Sequence, residues 1–215
     1  MIKKLTPTVL FATAAFFCAA SLFAQDSDKK EPAAQPKKQK GPLPGAGTGG
    51  NTPHETTSAV IDGDRVIIVY GRPFSKHPRT GEVRKIWGQL VPWGKVWRTG
   101  SDEATLLITQ LPIELGGATI PAGAYTLWTL PNEDGTAKLI VNKQIGQWGV
   151  PRPGQDPKEV YDEGKDLVRA DLKKAPLETP ADQFKITVEK NPTGGGLLKL
   201  MWEDTQYSVP FAVKK

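Results

Sequence analysis

Six short apolar runs in the chain share a period of two: Val66 to Tyr70, Thr105 to Thr109, Ala124 to Leu130, Lys138 to Val141, Phe184 to Val188 and Leu198 to Trp202. They are rich in β-branched and aromatic residues, the composition of strands that bury a face. Turn formers sit between them: Asp62-Gly63-Asp64, Gly116-Gly117, Asn132 to Gly135, Gly194-Gly195-Gly196 and Glu203-Asp204-Thr205. Connections this short join antiparallel strands, because a parallel crossover needs about a dozen residues. Even the most helix-like segment, Asp162 to Ala175, sets Leu167, Arg169 and Asp171 against Val168, Ala170 and Leu172 and so alternates like a strand. The pattern predicts an all-β domain over 54–215, an antiparallel β-sandwich or jelly-roll-like fold of about eight to ten strands in two sheets. Pro210 should fall near an edge or a strand end, since it has no N–H for a ladder.

The amino-terminal quarter follows another rule. A basic start, Lys3-Lys4, precedes an uncharged apolar run from Leu5 to Phe23, and polar residues begin at Gln25. That order predicts a cleavable signal peptide over 1–24, cut after Ala24, with a cut after Ala20 as the alternative, and a secreted or periplasmic protein without a membrane span. The one cysteine, Cys18, lies inside this segment behind Phe16-Phe17, a poor context for lipid attachment. A mature chain cut there has no disulfide and depends on its core. Residues 25–53 mix lysines, prolines and glycines with almost no large apolar side chain, which predicts a disordered linker. Gly45 to Gly50 spells G-x-G-x-x-G within it, yet with no strand before and no helix after it reads as linker, and no nucleotide cofactor is expected.

Charge changes the picture once it is divided. Of the formal +5, Lys3 and Lys4 supply two, and the linker's five lysines against Asp26, Asp28 and Glu31 supply another two, leaving +1 for His54 to Lys215. The high net charge therefore belongs to the amino-terminal segments and gives no case for a nucleic-acid face on the folded part.

One stretch breaks the two-residue rhythm. From Gly71 to Asp102 the chain is aperiodic but holds Trp87, Trp93 and Trp97 among prolines and glycines. Connections of this length inside a compact domain are functional or disordered as a rule, and the tryptophans argue for order.

In this stretch and beyond it, Tyr70-Gly71-Arg72-Pro73, Ile86-Trp87-Gly88, Leu90-Val91-Pro92, Gly94 to Gly100, Glu103-Ala104-Thr105, Pro121 to Leu127, Asn142-Lys143 and Gln147-Trp148-Gly149 follow one another in an order that resembles the bacterial domain-of-unknown-function family numbered 2911. The likeness spans roughly Thr57 to Val213. It implies secretion and a β-rich fold, and no established activity. Two departures stand out: Asp102 takes a place where the family commonly has Asn, and the segment between Pro73 and Lys85, with His77, is longer than usual.

The candidate chemistry gathers in the same region. Arg98, Asp102 and Glu103 either rim a pocket, with the guanidinium clamping a carboxylate or sugar hydroxyls, or tie the loop down by a bidentate bond; the tying role is the commoner one, and Arg72 invites the same two readings. Trp93, Trp97 and Trp148 could stack on sugar rings or fill the core, with Trp93 and Trp148 the two expected to face solvent and Trp128 expected in the core. Asp102 and Glu103 are neighbours, so on a regular strand they point to opposite faces and make no glycosidase pair. His54 and His77, in separate loops, suggest neither a metal site nor a Ser-His arrangement, and an Asp162 to Asp166 calcium loop is disfavoured by Lys165. The expectation is a binding module for carbohydrate or another envelope component, using Arg72, Trp93, Trp97, Arg98, Asp102, Glu103 and Trp148. The alternatives are a hydrolase or isomerase using Arg98 and Glu103 as its catalytic residues, or an interaction module without a small ligand. An enzyme is the less favoured of these classes, and no metal is expected.

Overall fold

The structure is a computed structural model and describes residues 52–214. The segment read as a signal peptide, and nearly all of the segment read as a linker with its glycine motif, lie outside the described residues. Among the described residues there are nine strands: β1 (His54–Ile61), β2 (Asp64–Gly71), β3 (Ser101–Thr109), β4 (Ile113–Leu115), β5 (Ala118–Ile120), β6 (Gly123–Pro131), β7 (Ala137–Asn142), β8 (Asp166–Lys190) and β9 (Gly196–Val213). One four-residue helix, α1 (Pro157–Val160), and a 3-10 turn at Glu163–Lys165 precede β8.

Every strand pairing is antiparallel, as the short turns require. The first hairpin shows why: Asp62 (φ 48°) and Gly63 (φ 92°) both take the left-handed conformation, the two-residue turn whose twist matches its flanking strands. Asp64 then anchors the end of the hairpin. Its buried carboxylate accepts from the Thr109 hydroxyl at 2.5 Å and from the Gln110 and Leu111 amides, each at 2.8 Å.

Where two separate sheets were expected, the strands form one open sheet in the order β1-β2-β3-β6-β7-β8-β9-β4-β5. The reason is the length of β8. Its first part, Asp166 to Leu172, pairs with β7, and from Lys173 onward it pairs with β9. The sheet nevertheless closes over its own apolar face: Tyr70 of β2 donates to and accepts from the backbone of Ile186 in β8, and β1 packs against β8 although five strand pairings separate them in the sheet. Pro210 sits inside β9, exposed, just past the last pair with β8 at Ser208 and just before the first with β4 at Phe211. There its missing N–H breaks no observed pair.

The buried side chains form one main core, with Ile68, Leu127, Leu139, Phe184, Leu200 and Trp202 at its centre. A smaller cluster of Ala104, Trp128, Ile140 and Val160 lies apart from it. Val160 comes from α1, so the helix segment covers the second face of β6 and β7, and Trp128 is buried on that face with its indole N–H bonded to Thr126.

Candidate functional site

The connection from β2 to β3 leaves and re-enters the sheet at almost the same place. Gly71 pairs with Ser101, and a Cβ on Gly71 would lie 2.3 Å from the Ser101 carbonyl oxygen, so only glycine fits this crossing. Within the connection, Trp97 continues the ladder beside β6 by exchanging two backbone bonds of 2.8 Å with Thr129. Its ring, 7 % exposed, stacks on Trp202 at 5.9 Å and meets Phe184 edge-on at 5.1 Å. Trp97 thus belongs to the core cluster. Trp87 stands edge-on to both Trp97 and Trp202, and half-buried Trp93 stacks over Trp87 at 6.2 Å with an interplanar angle of 11°.

Arg72 is engaged at two points. Its guanidinium pairs with Glu55 at 2.7 Å and donates to the Phe184 carbonyl at 3.0 Å, which joins β1, β2 and β8.

Arg98 is placed differently. The Gln147-Trp148-Gly149 segment runs beside Asp102 to Ala104, with the Ala104 amide donating to Gln147 and the Gly149 amide donating to Asp102. This brings Gly149 against the Arg98 stem so closely that a Cβ there would lie 1.8 Å from Arg98 Cδ. Among the described residues Arg98 forms no ion pair, and its Nε is buried without a hydrogen-bond partner in the protein. Burial lowers its pKa, and the nearby Asp102 charge opposes that shift.

Arg98 lines a cavity of about 210 Å³ together with Arg84, Ser101, Asp102, Trp97 and Trp202. Three further polar atoms of these lining residues are buried without a partner: Arg84 Nε, Ser101 Oγ and Trp202 Nε1. The Arg84 guanidinium does donate to the Phe74 carbonyl, and burial lowers its pKa too. A buried donor left unpaired costs roughly 1–3 kcal/mol, and native folds hold few such groups. Four residues of one cavity lining thus each carry a buried polar atom without a partner, and two of the four are guanidinium groups that form no ion pair among the described residues, which favours acceptor atoms there.

Asp102 has a backbone φ of 67°, a region that Asn and Asp enter more readily than other non-glycine residues. That is a physical reason for either residue at this place. It also breaks the strand alternation on which Asp102 and Glu103 were expected to diverge: His54 Nε2 lies 2.9 Å from Glu103 Oε2 and 3.8 Å from Asp102 Oδ2. Burial, and then the Glu103 charge, raise the Asp102 pKa, against the lowering effects of His54 and Arg98. Glu103 lines a separate hollow of about 170 Å³ with His54, Leu106 and Gln147, so it does not share the Arg98 cavity. Half-buried Trp148 bridges to the Glu103 backbone, and neither it nor Trp93 lines the cavity.

Sequence reasoning passed over Arg84, Ser101 and Trp202, and it placed His54 in a loop, whereas His54 opens β1. Arg84 lies in the segment set aside as unusually long, and Trp202 reads as one more inward residue of β9. Ser101 had one available signal, its place between the Gly100 and Asp102 of a family motif. The Asp162 to Asp166 acids are engaged internally: Asp166 accepts from Asn142, Tyr161 and Arg169, and Asp162 caps the 3-10 turn.

No curated protein and no solved structure matches the chain. A family model matches residues 52–211, which carry the crossing at Gly71 and Ser101, the Arg98 cavity and the Gln147-Trp148-Gly149 brace, and the chain therefore belongs to the family described as protein of unknown function (DUF2911).

Proposed function

We propose that the protein is a binding module whose ligand occupies the cavity of Arg84, Arg98, Ser101 and Trp202. One observation supports this above the others: two guanidinium groups, Arg84 and Arg98, border that cavity without an ion pair among the described residues, and four of its lining residues carry a buried polar atom without a partner. A bound molecule that offers acceptors would pair with the two guanidinium groups that border the cavity. The volume of about 210 Å³ corresponds to about seven waters at 30 Å³ each, enough for one sugar ring or a small acid and too little for an oligosaccharide. The half-buried Trp93 and Trp148 stand outside the cavity, so stacking on them is not part of this reading, whereas the Trp97 and Trp202 rings form its wall. A chain exported by the amino-terminal segment would meet such a ligand, a sugar unit or another small envelope component, in the periplasm or outside the cell.

Thermal-shift and calorimetric screening of the purified chain against monosaccharides, sugar acids and small organic acids tests the proposal. A ligand should raise the melting temperature, and Arg98→Met and Ser101→Ala should abolish that rise while melting as the parent does. Variants that unfold, or a full panel without a shift, would remove the support. The arrangement gives less support to catalysis by Arg98 with Glu103, because those residues line different hollows.

A further inference from the structure

We infer that the group recognised in this cavity is an oxyanion, carried by a molecule no larger than a single sugar ring; the inference rests on the binding reading above and narrows its chemistry. Neutral sugars present hydroxyls, each a donor as well as an acceptor, and a site for them supplies both kinds of partner. The side chains of this cavity are unbalanced. Arg84 Nε, Arg98 Nε, Trp202 Nε1 and the Ser101 hydroxyl are all able to donate and lack an acceptor, whereas Asp102 is the one carboxylate on the lining. An acceptor-only group matches that excess.

Charge points the same way. Two guanidinium groups border the cavity, and neither forms an ion pair among the described residues. Arg72 and Arg169, by contrast, hold carboxylates at 2.7 Å and 2.8 Å. A partly desolvated guanidinium gains most from a hydrogen-bonded anion, and its planar fork suits carboxylate and phosphate oxygens. Asp102 does not supply that anion: its carboxyl oxygen approaches His54 at 3.8 Å, and no atom of it lies within ion-pair distance of Arg98.

Asp102 instead sets the limit of the site. An ionised Asp102 repels an incoming anion, so its replacement by Asn, a residue that tolerates the φ of 67°, should tighten binding without disturbing the fold.

The test is calorimetry on the purified full-length chain at low salt with four probes: glucose, glucuronate, glucose 6-phosphate and inorganic phosphate. Glucuronate or glucose 6-phosphate should bind at least tenfold more tightly than glucose, and inorganic phosphate should compete. A preference for glucuronate identifies a carboxylate as the natural group, and a preference for glucose 6-phosphate identifies a phosphate. Asp102→Asn should tighten the preferred probe several-fold, and Arg98→Gln should weaken it at least tenfold. Glucose binding as tightly as glucuronate, or Asp102→Asn weakening the preferred probe, would overturn the oxyanion assignment while leaving a ligand-binding cavity in place. Failure of all four probes together with the wider neutral panel would overturn both.

Discussion

Arg72 and Arg98 stand at the two ends of the same connection between β2 and β3, and the chain treats them oppositely. Arg72 meets Glu55 and the Phe184 carbonyl; Arg98 has its stem against Gly149 and its Nε without a partner on a cavity wall. The first guanidinium is spent on joining strands that are remote in the sheet. The second is held in place by packing alone, which leaves its hydrogen-bonding capacity for something else. Side-chain type and neighbouring glycines do not separate the two cases; the difference lies in whether an acceptor is built within reach.

The largest effect that would break this comparison is on stability. Arg72→Ala removes a charge-assisted hydrogen bond, leaves the Phe184 carbonyl unserved and leaves half-exposed Glu55 with the Tyr70 hydroxyl, at an expected cost of roughly 2 kcal/mol or somewhat more in urea denaturation, solvent screening of the ion pair included. If that variant is as stable as the parent, Arg72 is not the tie described. Gly149→Ala comes next, because the added methyl group collides with the Arg98 stem and should cost about 1–3 kcal/mol through forced displacement. The double variant with Arg98→Ala should recover much of the loss, and simple additivity would show that Gly149 does not brace Arg98. Arg98→Met should change stability by less than about 1 kcal/mol in either direction, since it replaces an unpaired, desolvated cation by an apolar stem. A loss equal to that of Arg72→Ala would erase the distinction.

Much of this was legible in the sequence, and the unread parts have physical causes. The period of two located β2, β3, β6, β7 and parts of β8 and β9, though not β1, β4 or β5, and Asp62-Gly63 specified its turn, because those signals are local. A single sheet in place of two was not legible, since the change of β8's partner at Leu172 and Lys173 depends on which other strands are near and not on β8's own pattern. Of the residues marked for a site, the structure puts Trp97, Arg98 and Asp102 on the cavity and Arg72, Trp93, Glu103 and Trp148 off it. Arg98 could be singled out from its motif, yet its lack of a partner is a property of three-dimensional neighbours. Arg84 and Trp202 are remote from each other in sequence and share the cavity only through folding.

The smallest expected effect concerns Asp102. Its raised pKa means that the folded state binds a proton more readily than the unfolded state between the ordinary aspartate value and the raised one. The penalty of its charge is therefore full above that window, shrinks as pH falls through it, and is absent below. Asp102→Asn should be slightly more stable than the parent at neutral pH, with the difference vanishing in acid, as followed by melting temperature across pH. A gap that widens in acid would contradict the burial of Asp102 beside the cavity.

The length of β8 carries a further consequence for how the chain could be divided. Its register skips from Pro176 to Ala181, after the change of partner at Leu172 and Lys173, so the seam between the two groups of strands runs through the interior of one strand and not through a linker. New chain termini opened at Glu178 would leave β7 and β9 each with a hydrogen-bonded share of β8, and the two fragments should reassociate as a split protein whose joining restores the Phe184, Trp97 and Trp202 contacts.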